Sequence, residues 1–191
     1  MSTDGGLMNQ STAELDDGAL ARAAQDDRKA FDALYRRHVD QVYRYCYSHV
    51  SSHLDAEDLT AQTFLAALQS LPSYSGQGSF AAWLFSIARH KCADHHRWTY
   101  ANPREPLDAS YGFEDQASVD PERRALMSSV RDCVRRALGA LTQDRREALQ
   151  LRFWGGLKHQ EVASVMERSE DAVKMLVWRG VRDLRERCLD E

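Results

Sequence analysis

No run in the 191-residue sequence is long and apolar enough to cross a membrane. The N-terminus, MSTDGGLMNQSTAELDDG, lacks the basic and apolar parts of a signal peptide. The cytoplasm is therefore the expected compartment, and no membrane insertion is expected. Cysteine is sparse: Cys46, Cys92, Cys133 and Cys188 lie far apart and form no CxxC pair. Reduced thiols are the ordinary reading in that compartment, with a regulatory disulfide as the alternative. Enzyme signatures are missing too, with no Gly-rich phosphate loop, no GxSxG and no HExxH. No catalytic residue and no cofactor is assigned, and the chain reads as a non-enzyme. No convincing period-two strand occurs anywhere.

What is present is a segregation of charge that the net value of −4 hides. Residues 1–18 hold four acids and no Lys or Arg, and residues 101–122 hold six acids against one base. Residues 19–100 are near neutral, with nine bases and eight acids; residues 123–191 are basic, with fifteen bases and eleven acids. For nucleic-acid binding, that distribution matters more than the sum.

The chain reads as all-α, two small helical domains joined by a flexible acidic linker. Residues 1–18 are polar and acidic and are expected to be disordered. In the domain 19–100, Phe31, Leu34, Tyr35, Val39, Val42, Tyr45 and Cys46 recur at helical steps. Asp55 is a candidate cap for the next helix, with Glu57 and Asp58 in its first turn, where the dipole favours negative charge. Its buried stripe is predicted as Ala61, Phe64, Leu65, Leu68 and Leu71, and Pro72 closes it. Ser79 caps a further helix with Phe80, Trp83, Leu84, Ile87 and Ala88 inward. The linker spans 101–122, rich in Pro, Gly, Ser and acids. The domain 123–191 follows, with helices predicted near 121–139, 142–154, 158–166 and 170–189.

Three constellations stand out. In the last two helices, Ala163 and Val173 lie ten residues apart, the small and apolar residues that let paired helices cross closely. A recognition helix would begin at the cap Ser169 and run through Lys174, Arg179, Arg182 and Arg185. A plain three-helix core is the competing reading. The second constellation, YSGQGSFAAWLFSIARHKCADHHRW, joins a glycine loop to a helix ending in Arg89, His90, Lys91, His95, His96 and Arg97. Such parts suit unstacked bases and phosphates, with Tyr74 and Trp98 the candidate exposed aromatics. The third is Cys46, His49 and His53 on one helix face, with His90, Cys92, His95 and His96. Neither set offers zinc-finger spacing, and no metal is assigned.

Two stretches, LDAEDLTAQTFLAALQSLPSYSGQGSFAAWLFSIARHKCADHHR and LGALTQDRREALQLRFWGGLKHQEVASVMERSEDAVKMLVWRGVRDLRERCL, resemble regions two and four of extracytoplasmic-function (ECF) sigma factors in the sigma-70 family. The resemblance covers nearly all of the chain after residue 19. It implies a transcription initiation factor that directs core RNA polymerase to promoter DNA. Asp55, Glu57, Asp58, Leu59, Gln62, Thr63 and Phe64 match the surface that docks on the beta-prime clamp helices, and the beta flap is a further implied partner site. Tyr74, Ser75, Gly76, Gln77, Arg89, His90, Lys91, Asp94, Arg97 and Trp98 match the part that opens and reads the −10 element. Ser169, Glu170, Asp171, Lys174, Met175, Trp178, Arg179 and Arg182 match the reader of the −35 element. An anti-sigma factor is an implied partner.

The sequence also departs from the family pattern. Lys158 stands at the usual Ser/Thr cap, forgoing about 1 kcal/mol. Glu167 replaces the turn glycine and Arg168 the apolar turn residue. A non-glycine residue in the left-handed region costs roughly 1–2 kcal/mol, so another turn shape is an alternative. Met175-Leu176 replaces a Ser-Arg pair, Gln62 an acid and His90 an asparagine. The rival functions are a helix-turn-helix regulator acting alone and a sigma-like interaction protein without initiation activity.

Overall fold

A computed structural model of the chain describes residues 15–50, 52–102 and 121–189. Most of the predicted tail, residues 1–14, and most of the predicted linker, residues 103–120, lie outside the described residues. The described residues are helical throughout, without strands, and fall into two compact units divided between residues 105 and 106.

The first unit contains α1 (Asp17–Ala23), α2 (Arg28–Val50), α3 (His53–Ser70), a 3-10 turn (Leu71–Ser73) and α4 (Phe80–Ala101). Its core joins Leu34, Val42 and Tyr45 of α2 to Ala56 and Leu59 of α3 and to Phe80, Leu84 and Phe85 of α4, all at most 2% exposed. Burying side chains of this size contributes about 1.5–3 kcal/mol each before ordering costs. The ring of Tyr45 meets Phe85 edge-on at 5.4 Å, a favoured aromatic geometry. Helix α1 begins inside the predicted tail, because Asp16 accepts from the Ala19 N–H at 2.7 Å and Asp17 has tertiary partners. Asp17 receives Arg37 Nη1 at 2.9 Å and lies 2.7 Å from Nε2 of the buried His38. Those contacts clasp α1 to α2. They hold the Asp17 carboxyl below its ordinary value, chiefly through the His38 hydrogen bond, against the opposing effect of burial.

Two local predictions are corrected in α3. Ser52, not Asp55, caps the helix, accepting from the Asp55 N–H at 3.3 Å. The predicted stripe is also rotated. Ala56, Leu59, Thr60, Thr63, Phe64 and Ala67 face inward, whereas Ala61, Leu65 and Leu68 are exposed. The buried threonines fit there because each hydroxyl donates to a carbonyl one turn back, Thr60 to Ala56 and Thr63 to Leu59, both at 2.7 Å.

The second unit contains α5 (Pro121–Gly139), α6 (Gln143–Leu149), a π-helical turn (Gln150–Trp154), α7 (His159–Met166) and α8 (Glu170–Leu189). The guanidinium of Arg146 donates to the carbonyls of Leu138 (2.9 Å), Gly139 (2.9 Å) and Leu141 (3.2 Å), satisfying the open end of α5. Helix α8 packs on α6 at Gly180. A Cβ there would stand 2.9 Å from Leu149 Cδ1, so any larger residue would force the Leu149 side chain to shift within the core. Cys133 and Cys188 form a disulfide between α5 and the end of α8, with Cα atoms 5.9 Å apart. The expectation of four reduced thiols therefore fails for this pair. Cys46 and Cys92 are buried and form no disulfide.

Candidate nucleic-acid interface

The helix pair of the second unit is set by its turn. Lys158 makes no side-chain cap, but the Glu161 carboxylate accepts from the Lys158 N–H at 2.7 Å, supplying half of a capping box. Glu167 adopts the left-handed conformation (φ 54°) that the family glycine would take, so the alternative turn shape is not used. The turn is held by the Arg168 N–H donating to the Ala163 carbonyl at 3.0 Å. The Arg168 side chain pairs with Asp144 of α6 at 2.7 Å. Ser169 caps α8, accepting from the Ala172 N–H at 3.2 Å. Ala163 and Val173 are both buried, at the crossing predicted from their spacing.

On α8 the inward side is Val173, Val177 and Gly180. Its outward side carries Glu170, Asp171, Lys174, Met175, Trp178, Arg179 and Arg182, all exposed, while Leu176 is half-buried. Met175 and Trp178 are 47% and 57% exposed, unusual for such side chains on a free surface. Lys174 reaches Glu170 at 3.0 Å and Asp171 at 3.4 Å. The Glu170 contact, reinforced by Asp171, holds its ammonium above the ordinary lysine value. Arg182 lies over the Trp178 ring, 5.1 Å from its centroid, and pairs with Glu186 at 3.5 Å. Among the described residues Arg179 has no ion-pair partner.

The first unit presents two surfaces. In the 74–78 loop, Gly76 (φ 71°) and Gly78 (φ 77°) take left-handed conformations, and Ser75 and Gln77 are exposed. Tyr74 corrects an expectation. It is 6% exposed, its ring 4.9 Å from Trp83 and 5.8 Å from Phe80, so it builds the loop's floor. Its hydroxyl is buried without a hydrogen-bond partner, and burial raises its pKa. On α4, His90, Asp94 and Arg97 share one exposed stripe, with Trp98 beside it at 45% exposure. Arg97 pairs with Asp94, and His90 Nδ1 bonds the Ser86 carbonyl at 2.6 Å. Arg89 and Lys91 flank the stripe, half-buried.

The second surface is on α3, where burial divides the residues expected to dock. Leu59, Thr63 and Phe64, expected on a docking surface, are buried and support that surface from within. The presented stripe is Leu54, Asp58, Ala61, Leu65 and Leu68, at helical steps, flanked by Glu57 and Gln62. Leu54 is 79% exposed and Leu65 56%. Gln62 donates to Asp58 at 2.7 Å, and Asp55 is half-buried at the helix start. Their periodicity was the available signal; choosing the inward face required knowing that Thr60 and Thr63 are inside.

The Cys/His groupings have other partners. Cys46 and Cys92 sulfurs stand 3.9 Å apart in the core, His49 lies against the Tyr45 ring, and His53 Nδ1 bonds the Tyr43 hydroxyl at 2.6 Å. Among the described residues no group of three or more His, Cys, Asp or Glu could hold a metal ion.

The family model for "Sigma-70 region 2" matches residues 34–99, and that for "Sigma-70, region 4" matches residues 131–184. The chain is 37% identical to the ECF RNA polymerase sigma factor BldN of Streptomyces coelicolor over 86% of its own length and 62% of that protein's. It is 32% identical to the ECF RNA polymerase sigma factor ShbA of Streptomyces griseus, over 88% of this chain and 93% of ShbA. The chain belongs to the ECF RNA polymerase sigma factors. This sigma factor also resembles CnrH, solved in complex with the cytosolic domain of CnrY. The two share 26% identity and a TM-score of 0.64, over 88% of this chain and 94% of CnrH. Within the sigma factor, the region 2 match takes in α3, the 74–78 loop and most of α4, while the region 4 match takes in α6, α7 and most of α8. No described helix is long and apolar enough to cross a membrane.

Proposed function

We propose that the chain carries core RNA polymerase to a promoter set by three surfaces, with no catalysis of its own, and works in the cytoplasm. The α3 stripe docks on polymerase, at the beta-prime clamp helices. The 74–78 loop and the His90–Trp98 side of α4 engage the opened −10 element, and α8 reads the −35 element. The observation that carries this reading is the α3 stripe. Exposed Leu54 and Leu65 lie among Asp58 and Glu57, a surface that suits a protein partner and repels phosphate.

A regulator acting through α8 alone would leave those leucines without a use. On α8, Met175 and Leu176 stand where the family has a Ser-Arg pair, and the exposed Met175 favours contact with thymine methyl groups, while Glu170 and Asp171 can accept from a cytosine amino group. Unpairing a base costs a few kcal/mol, recovered when the base is held in a pocket. The loop over Tyr74 offers the place. CnrH, of similar fold, was solved in complex with the cytosolic domain of CnrY, and a comparable anti-sigma partner would cover the polymerase-facing surfaces of both units. The test is in vitro transcription with purified core polymerase. Promoter-specific transcripts from genomic fragments are expected on adding this chain, and their absence from every fragment would defeat the proposal.

A further inference from the structure

We infer that Cys133 and Cys188 form a redox modification site that governs how firmly the reading helix is held. It goes beyond the sigma-factor reading and is tested without transcription.

The position of the pair makes the case. The disulfide joins residues 55 apart, and the enclosed loop contains α6, the π-helical turn, α7 and nearly all of α8. Closing so long a loop restricts the unfolded chain strongly. In the folded chain the bridge sits where other packing is thin. From residue 128 to 136 on α5 no side chain is fully buried, and the same holds from 181 to 188 on α8. Among the residues whose burial is described, the buried side chains of α5 start at Ala137 and Leu138, and the last buried residue of α8 is Gly180. Among the described contacts, the Arg145–Asp183 pair (2.5 Å) and the bridge tie the last two turns of α8 to neighbouring helices. Segments with few buried contacts open locally at low free energy, so removing the link acts there first.

The site is also reachable. Both cysteines are only half-buried, and Cys133 borders an open hollow whose lining also includes Arg136, Ala137, Glu186 and Arg187. The two guanidinium groups draw an anionic thiolate toward the sulfurs. Exchange with a cellular dithiol balances simply. Its thiolate attacks one sulfur, the Cys133–Cys188 bond breaks and a mixed disulfide forms. The second thiolate of the dithiol then displaces the protein sulfur. Two electrons and two protons pass to the cysteines, and the reductant leaves as a disulfide. A disulfide oxidant of the same class reverses the step. The other pair, Cys46 and Cys92, is buried in the first unit, forms no disulfide, and is out of reach of such a reagent.

The full chain, equilibrated with glutathione disulfide and then denatured, should show two alkylatable thiols, at Cys46 and Cys92. After dithiothreitol it should show four. Reduction should lower the melting temperature of the second unit by about 10 °C. Amide exchange should quicken at least fivefold in residues 128–136 and 181–188 while residues 162–177 stay protected. The C133S/C188S double variant should behave like the reduced wild type under both conditions. Four free thiols after oxidation, a Cys46–Cys92 cross-link in their place, or unchanged exchange on reduction would overturn the inference.

Discussion

Helices α3 and α8 both leave large apolar side chains in water, and the company those side chains keep differs. On α3, Leu54, Leu65 and Leu68 share their face with Asp58 and are flanked by Glu57. On α8, Met175 and Trp178 stand among Lys174, Arg179 and Arg182, with Glu170 and Asp171 at the helix start paired to Lys174. An apolar patch alone says that something docks. In the proposed function the neighbouring charges divide the partners: a surround of carboxylates repels a phosphate backbone, and a surround with a surplus of cations attracts one. The supports differ as well. The α3 face rests on a threonine-containing core, whereas the α8 face is fixed by the contact of Gly180 with Leu149 and by a turn with a left-handed Glu167.

The sharpest way to break the comparison is to exchange inside for outside on α3. Thr63→Lys puts a charge where the side chain is fully buried and should cost about 3 kcal/mol or more. Leu65→Lys, two residues on, should stay within about 0.5 kcal/mol of wild type, since Leu65 is 56% exposed. Equal losses in chemical denaturation would return α3 to its predicted phase. On α8, Gly180→Val forces a side chain against Leu149 and should lower stability by about 1–3 kcal/mol, with faster amide exchange in the second unit.

The Asp17 clasp gives the first unit its own acid response. Because the folded carboxyl lies below its ordinary 3.8, its contribution is fully present above that value and is lost as pH falls through the lower, folded value. Asp17→Asn should remove that part of the acid dependence and cost about 1–2 kcal/mol at neutral pH, read from denaturation midpoints between pH 2 and 7. The smallest effect is expected at the reading surface. Replacing thymine by uracil in the −35 element deletes only methyl groups, and holoenzyme binding should weaken a few-fold, by roughly 1 kcal/mol. Met175→Ala should abolish that difference between the two DNAs.

Much of this was legible in the sequence where one face alone is apolar. Val173, Val177 and Gly180 point inward at the predicted phase, and the helices of the second unit fall close to their expected limits. Helix α3 was harder because apolar residues ring much of its circumference, so periodicity could not choose between Leu65 and Thr63. Hydroxyls satisfied within their own helix can be buried without a partner elsewhere. Tyr74 read as exposed because it adjoins a glycine loop, yet its ring closes on Trp83. The tail reading missed Asp17, whose partners Arg37 and His38 lie a helix away. The Cys133–Cys188 pairing was out of reach, since spacing does not determine connectivity.

Two double variants test the central claim most directly: Leu65→Asp with Leu68→Asp, and Met175→Ala with Trp178→Ala. Each is assayed for affinity to core polymerase and for promoter selectivity of the complex. The α3 variant should lose at least tenfold in polymerase affinity, as expected when residues central to a docking surface are replaced. The α8 variant should bind polymerase as wild type does and lose discrimination among promoters. Equal polymerase affinity in both variants, or promoter discrimination lost only through the α3 change, would contradict the assignment of partners by neighbouring charge.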